Sequence, residues 1–579
     1  MRHHEKWAAS ETLDYAWPLL LNRKYMSSLR LFAVTNYELS VADGGDGMKR
    51  SNGSRMRIAA ALCAVAVVFL ARQLMAQVAS LDPAKMPTIG TVDERFQSYN
   101  IEMVEVIGGR FWKPYGSTTN ESKAQEPSPQ AGFTPPGIDP NLYRYRAPID
   151  LSNPRLRKLA AALSPAYVRV SGTWANSAYF QDSENVAPAN APSGFSGVLT
   201  REEWKGVVEF SHAVNAEIVT SVATGPGSRD AQGVWTSDQA RQLFEYTKSA
   251  GGRIAASEFM NEPTYAAMGG APKGYDASSY GRDIAAFQTF LRKSAPDTLF
   301  LGPGSVGEGP FAMPMGGGVL KSEDLLHAAG PVFDVFSYHL YAAASQRCAT
   351  MGASSQTTAA AALSQDWLSR PEKIGAFYAD LRDRFESGKS LWITETADAA
   401  CGGNPWAATF LDTFRYLIQH ASLAQRGVKV IMHNTLASSD YGLIDENTFA
   451  PRPNYWAALL WRRLMGTTVL DPQITSPPNL YAYAHCLRNH SGGVAILVIN
   501  ADEHQIHEIT LAPEAERYTL TAGQLQDRAV QLNGKTLQLN SDGDVPEFVG
   551  QPTRSGRISF APASITFLAI PNASNSSCR

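Results

Sequence analysis

Leu391-Trp392-Ile393-Thr394-Glu395-Thr396 decides how this chain is read. Trp392, Ile393 and Thr394 favour a buried strand, and Glu395 would sit at its C-terminal mouth. Cys401-Gly402-Gly403-Asn404-Pro405 then breaks the pattern into a loop. In a parallel barrel, chemistry is built at the C-terminal ends of strands. A lone carboxylate there can equally be half of a salt bridge, so the reading turns on a second acid. Glu262 supplies it, in Met260-Asn261-Glu262-Pro263, at the end of another strand-like run.

Outward from these two stretches the chain alternates. Strand-like runs at 96–102, 166–170, 216–223, 254–260, 298–302, 332–340, 391–394 and 428–432 are interleaved with amphipathic helical patterns. The helices fall at 154–163, 202–215, 236–250, 278–294, 373–386, 407–426 and 454–465, with Ser237 as an imperfect cap for the third. Eightfold alternation predicts an α/β fold, a (β/α)8 TIM barrel over 93–470, and no glycine fingerprint for a dinucleotide appears. After 471 the runs become short and turn-separated, with Asn533-Gly534 and Asp542-Gly543 as turn dipeptides. That texture predicts a C-terminal antiparallel β-sandwich over 471–579, completed by strands from 77–92. The segment 113–141, rich in Pro, Gly and Ser, predicts a long surface loop after the first strand, placed to wall a pocket.

Strands four and seven of a closed barrel face each other across its mouth, so Glu262 and Glu395 can flank one glycosidic bond. A retaining glycosidase needs the two carboxyl groups about 5–5.5 Å apart, one as proton donor and one as nucleophile. The donor must be protonated near working pH, so its surroundings must raise its pKa. Asn261, beside the acid, is placed to hold a sugar 2-hydroxyl.

Composition narrows the field. The chain has 579 residues, 44 % of them hydrophobic, enough for more than one core. A net charge of −3 argues against nucleic acid as a partner. The apolar run at 58–70 is short for a membrane span and suits the centre of a signal peptide, with Lys49, Arg50, Arg55 and Arg57 as its basic flank. We therefore expect a start at Met48 or Met56, a signal peptide over 48–76 with cleavage after Ala76, and a non-native extension over 1–47. The product would be secreted or periplasmic, and the alternative is a signal-anchored membrane protein. Of five cysteines, Cys63 leaves with the signal; Cys348, Cys401, Cys486 and Cys578 allow three pairings. No Cys/His spacing fits zinc, so no metal or cofactor is expected.

The stretches LSPAYVRVSGT (163–173), SEFMNEP (257–263), DVFSYHLY (334–341), LWITETADAACGG (391–403), DYGLIDEN (440–447), NYWAALLWRRLMG (454–466), LYAYAHC (480–486) and VQLNGKTLQL (530–539) together resemble glycoside hydrolase family 79, the heparanase and β-glucuronidase family of the retaining clan A. The resemblance implies that Glu262 is the general acid/base and Glu395 the nucleophile. It implies that Tyr341 hydrogen-bonds the nucleophile and that Asn261, Glu102 and Thr173 touch the sugar. Tyr441 and the backbone of Gly402 and Gly403 would receive the uronic carboxylate. The family pattern also pairs Cys486 with Cys578, which leaves Cys348 and Cys401 on adjacent loops for a second bridge. Glu258 reads as a buried partner on the strand of Glu262, and Glu446 has no clear role. The interval between Phe180 and Glu202 is short where animal heparanases carry an excised linker, so no activating cleavage is expected. The expected substrate is a glucuronic-acid-containing oligosaccharide, polysaccharide or glucuronide conjugate. Endo-cleavage of a heparan-type polymer and a non-catalytic glycan-binding role are the alternatives.

Overall fold

The structure is a computed structural model that describes residues 79–116, 139–313, 319–351 and 356–579. The expected signal peptide and most of the 113–141 loop lie outside the described residues. Eight parallel strands close into a barrel. They are β1 Gln97–Glu102, β2 Ala166–Ser171, β3 Ala216–Ser221, β4 Ile254–Glu258, β5 Leu299–Ser305, β6 Val335–Tyr341, β7 Ser390–Ala397 and β8 Val428–His433. Ile431 of β8 pairs with Gln97 of β1 to close the ring. Inside, Tyr167, Val219, Ala256, Leu301, Trp392 and Met432 form an apolar floor. Above that floor the inward residues turn polar, with Arg169, Glu258, His339 and Glu395 all buried.

A bulge in β7 sets the position of Glu395. Tyr338 pairs with Ile393 but His339 pairs with Glu395, so Thr394 is an extra residue in the ladder. Strand side chains normally alternate, and an inserted residue resets that alternation. Trp392, Thr394 and Glu395 therefore all project inward. The strand runs on to Ala397, so Glu395 lies within it rather than at its end.

Several elements differ from expectation. The helix expected at 373–386 spans Gln365–Phe385 and contains Pro371; it begins eight residues earlier, where Ser364 caps it on the backbone of Trp367. A short helix, Ser322–Ala329, lacked a periodic signal long enough to see. Ser237 precedes Asp238–Ser249 without a side-chain cap bond. Met465–Leu470 is a strand that pairs with Thr88–Thr91 and Leu480–Leu487, so sheet pairing begins before residue 471. It abuts the helix Pro453–Leu464 directly, so no turn residues mark the change.

The C-terminal layers are a nine-stranded and a three-stranded sheet. They are antiparallel, as expected, with one parallel pairing, Ala79–Leu81 beside His507–Leu511. Val494–Asn500 is buried on both faces. Val494, Ile496 and Val498 meet the small sheet, while Ala495, Leu497 and Ile499 join the main core with Trp461 and Tyr483. The sandwich thus buries the outer helices of the barrel and holds it from one side. Both disulfides are present, Cys348–Cys401 and Cys486–Cys578. No helix among the described residues is long and apolar enough to cross a membrane.

Candidate active site

Arg169 is the hub of the barrel mouth. Its guanidinium donates to Glu258 Oε2 from Nε at 3.0 Å and from Nη2 at 2.9 Å, and to Glu395 Oε2 from Nη1 at 2.9 Å. Nη2 also reaches Asn261 Oδ1 at 2.8 Å and His339 Nε2 at 3.2 Å. Burial opposes the charge on Arg169, but Glu258, Glu395 and Glu102 more than offset this and keep it a cation. Burial likewise pushes Glu258 up, yet Arg169, His339 and the hydroxyls of Thr394 and Ser337 outweigh it and hold that carboxyl below the usual range. Glu258 is thus a buried counter-ion, bonded by Ser337 Oγ and Thr394 Oγ1 at 2.7 Å each.

Glu395 receives a second set of donors on its other oxygen. Tyr341 Oη donates to Oε1 at 2.7 Å, and Asn434 Nδ2 stands 3.5 Å away. Asn434 Nδ2 also reaches the hydroxyls of Tyr341 at 3.1 Å and Tyr441 at 3.2 Å. Opposite, Glu262 has φ of +52°, a left-handed conformation uncommon for a non-glycine residue and held here at the cavity wall. Its Oε1 lies 3.0 Å from His339 Nδ1. One carboxylate oxygen from Glu262, one from Glu395 and a ring nitrogen of His339 all fall within 4.8 Å of one another. Burial raises Glu262 to about 7, with Arg169 pulling it down and Glu258 pushing it up.

These groups open onto a cavity at the mouth of the barrel. Glu102, Thr173, Glu262, Tyr341, Glu395 and Tyr441 line it, and Asn261, Gly402 and Gly403 do not. Glu102 Oε2 is buried without a hydrogen-bond partner, and burial and the Glu395 charge raise its pKa well above normal. Gly172 makes room for it: at φ +88°, a Cβ there would fall 1.5 Å from that oxygen. Asn261 is tied from behind, its N–H donating to Asn176 Oδ1 at 2.9 Å and its carbonyl accepting from Asn176 Nδ2 at 3.0 Å. Gly402 and Gly403 are buried behind the lining, Gly402 under Trp112 and Gly403 against Tyr441 and Asp398. Glu446 pairs with Arg144.

Sequence reasoning passed over Arg169, His339, Asn434, Trp112 and Trp174. The first two stand inside quoted stretches as single polar residues among apolar neighbours. Such a residue on an inward position of a closed barrel must find buried partners, and that was the available signal.

The description "Glycosyl hydrolase family 79, N-terminal domain" matches residues 146–421. Heparanase-like protein 1 of Arabidopsis thaliana is 26 % identical over 490 residues, covering 74 % of this chain and 86 % of that one. Baicalin-β-D-glucuronidase of Scutellaria baicalensis is 36 % identical over 189 residues, 31 % of this chain and 36 % of its own length. Among solved structures, a 4-O-α-L-rhamnosyl-β-D-glucuronidase of Fusarium oxysporum superposes with a TM-score of 0.53 at 13 % identity, covering 85 % of this chain and 99 % of that one, a likeness of fold. The protein is a glycoside hydrolase built on a (β/α)8 barrel. Over residues 146–421 its likeness is to glycoside hydrolase family 79.

Proposed function

We propose that the enzyme hydrolyses β-D-glucuronides with retention of configuration, Glu395 acting as nucleophile and Glu262 as general acid and then base. The observation that carries this is the approach of the two carboxyl groups to within 4.8 Å across the cavity, the short spacing of a double-displacement site. Arg169 and Tyr341 donate to opposite oxygens of Glu395 and fix the orientation of its carboxyl group at the cavity. Burial prepares Glu262 for the opposite duty by holding its proton near pH 7. In the first step Glu395 attacks the anomeric carbon, its C–O bond forms, and the glycosidic C–O bond breaks as Glu262 protonates the departing oxygen. In the second step Glu262 takes a proton from water, whose oxygen displaces Glu395.

Recognition of the sugar falls to Glu102, Thr173 and Asn261. Arg169 occupies the amide oxygen of Asn261 and leaves its nitrogen as the donor for the 2-hydroxyl. The uronic carboxylate is assigned to the Tyr441 end of the cavity. The Tyr441 hydroxyl accepts from Asn434 and so keeps its own proton for an anion. The name of one relative, a β-D-glucuronidase, supports the same sugar. Two disulfides and the signal-like stretch at 48–76 support export of the enzyme. The test pairs an aryl β-glucuronide with the matching β-glucoside, for wild type and Glu395→Gln, and follows the anomer first released by NMR. Turnover of the glucuronide to the β-anomer, lost in the variant, is expected. Turnover of the glucoside alone refutes the sugar assignment, and release of the α-anomer refutes the mechanism.

A further inference from the structure

We propose that Arg452, together with His433, is a positioning residue for recognition of the sugar's carboxylate: the two side chains hold the backbone of residues 439–442 and so fix Tyr441 at the cavity wall. The inference rests on the glucuronidase reading given above and adds to it how the carboxylate contact is kept in place.

Tyr441 lies between β8 and the helix Pro453–Leu464, and none of residues 438–442 belongs to a strand or helix. Each carbonyl of this turn is bonded by a side chain instead. Thr435 Oγ1 donates to the Ser438 carbonyl at 2.9 Å. Arg452 Nη1 reaches the carbonyls of Ser439, Asp440 and Gly442 at 2.9, 2.8 and 3.2 Å. His433 Nε2 lies 2.8 Å from the Tyr441 carbonyl, so Nε2 carries the hydrogen. Burial pushes His433 down to about 4, which leaves its ring a neutral donor. Buried carbonyls must be satisfied, and here donors from outside the turn dictate its shape.

Arg452 is itself anchored. It is 6 % exposed, its backbone N–H donates to the Leu443 carbonyl at 3.0 Å, and Nη2 reaches Asp445 Oδ2 at 3.2 Å. A guanidinium presents its donors in a rigid fork, which the single ammonium of a lysine does not reproduce.

The turn it holds is tight and is tied to the glycine loop. A Cβ added to Gly442 would fall 2.8 Å from the Ser438 nitrogen. Ser439 has φ of +62°, and its Oγ donates to the Gly402 carbonyl at 3.0 Å. Gly403 leaves room for Tyr441, since a Cβ there would lie 3.2 Å from the Tyr441 Cβ. The Tyr441 hydroxyl then meets Asn434 Nδ2 at 3.2 Å and lines the cavity. Hydrogen bonds weaken steeply with distance and angle, so a small shift of this backbone would cost the phenol its aim at an anion. A purely structural role for Arg452 would slow all substrates alike. Action through Tyr441 confines the loss to substrates that carry the carboxylate.

The experiment measures kcat/KM for an aryl β-glucuronide and the matching β-glucoside in wild type, Arg452→Lys, His433→Phe, Tyr441→Phe and each of the first two variants combined with the third. Thermal melts identify the folded variants. Tyr441→Phe should lower the glucuronide-to-glucoside ratio by roughly 10- to 100-fold, the range of hydrogen bonds to charged groups. Arg452→Lys and His433→Phe should each lower it by roughly tenfold, chiefly through KM for the glucuronide. Added to Tyr441→Phe, either should change the ratio by less than about twofold, because the contact it positions is already gone. A ratio unchanged in folded Arg452→Lys, or losses that multiply in the combined variant, overturns the proposal. If Arg452→Lys does not fold, the same two criteria applied to His433→Phe decide it. Preference for the glucoside in wild type overturns the glucuronide reading and this proposal together, a result distinct from either of those.

Discussion

His339 hydrogen-bonds Glu262 through Nδ1, 3.0 Å from Oε1. The proton on this bond can be placed by its neighbour. Arg169 Nη2, which can only donate, lies 3.2 Å from Nε2, so Nε2 accepts and Nδ1 carries the hydrogen. Burial pushes His339 down to about 4, so the ring is neutral at working pH. Oε1 of Glu262 is then an acceptor, and the acidic proton belongs on Oε2. We expect His339→Phe to slow hydrolysis of a phenyl glucuronide by roughly 100-fold in kcat, the range of acid–base effects. A dinitrophenyl aglycone, which leaves without protonation, should lose far less. Equal losses for both would show that His339 does not act through Glu262.

The pH profile follows from the raised pKa of Glu262. Its proton is present below about 7 and lost above it, so the alkaline limb of kcat/KM for a poor leaving group should fall near pH 7. The rate should drop about tenfold per pH unit beyond that point. Glu262→Gln removes this limb along with most of the rate. An alkaline limb that persists unchanged in the residual activity of that variant would assign it to another group.

Tyr341 contributes one donor to Glu395 without entering the reaction. Charge-assisted hydrogen bonds contribute about 1.5–3 kcal/mol, so Tyr341→Phe should lower kcat by roughly 10- to 100-fold. KM should change much less, because the bond matters most as negative charge leaves and returns to the nucleophile. Steady-state kinetics on one aryl glucuronide separates the two parameters.

Asp398 lies just past Glu395 on the same polypeptide run and is fully buried. Its Oδ2 accepts from the Asn404 N–H at 2.9 Å, while Oδ1 has no partner. Burial and the charge of Asp412 push it up to about 7, against the pull of Arg415. A carboxyl whose pKa rises on folding stabilises the protein below its unfolded value, and that contribution is lost as pH climbs through the folded value. Wild type should therefore lose melting temperature between pH 5 and pH 8 through this residue. Asp398→Asn, which cannot ionise, should shrink the difference by a few degrees in a thermal melt at the two pH values.

The barrel was legible because its strands are short apolar runs between turn signals, and buried parallel strands read that way. Pro371 hid the first turns of its helix, and the absence of any turn between Leu464 and Met465 hid the start of the sheet. In the site, Glu262 and Glu395 stood out as acids at the ends of apolar runs. Arg169, His339 and Asn434 did not, because each is a single polar residue whose partners come from other strands. Their meaning appears only when closure of the ring brings β2, β4, β6, β7 and β8 to one point. The bulge at Thr394 was equally hidden, since an inserted residue leaves no mark on composition.

The strands Ala79–Leu81 and Thr88–Thr91 are stitched into the same two sheets as residues beyond 464, and Asn575 Nδ2 bonds the carbonyls of Pro83 and Met86 at 2.7 and 2.9 Å. The barrel is consequently a long excursion between two anchor points in one structure. A single protease nick in any of its surface loops would yield two fragments, each still rooted in that shared foundation, and the severed enzyme should travel as one particle until it is denatured.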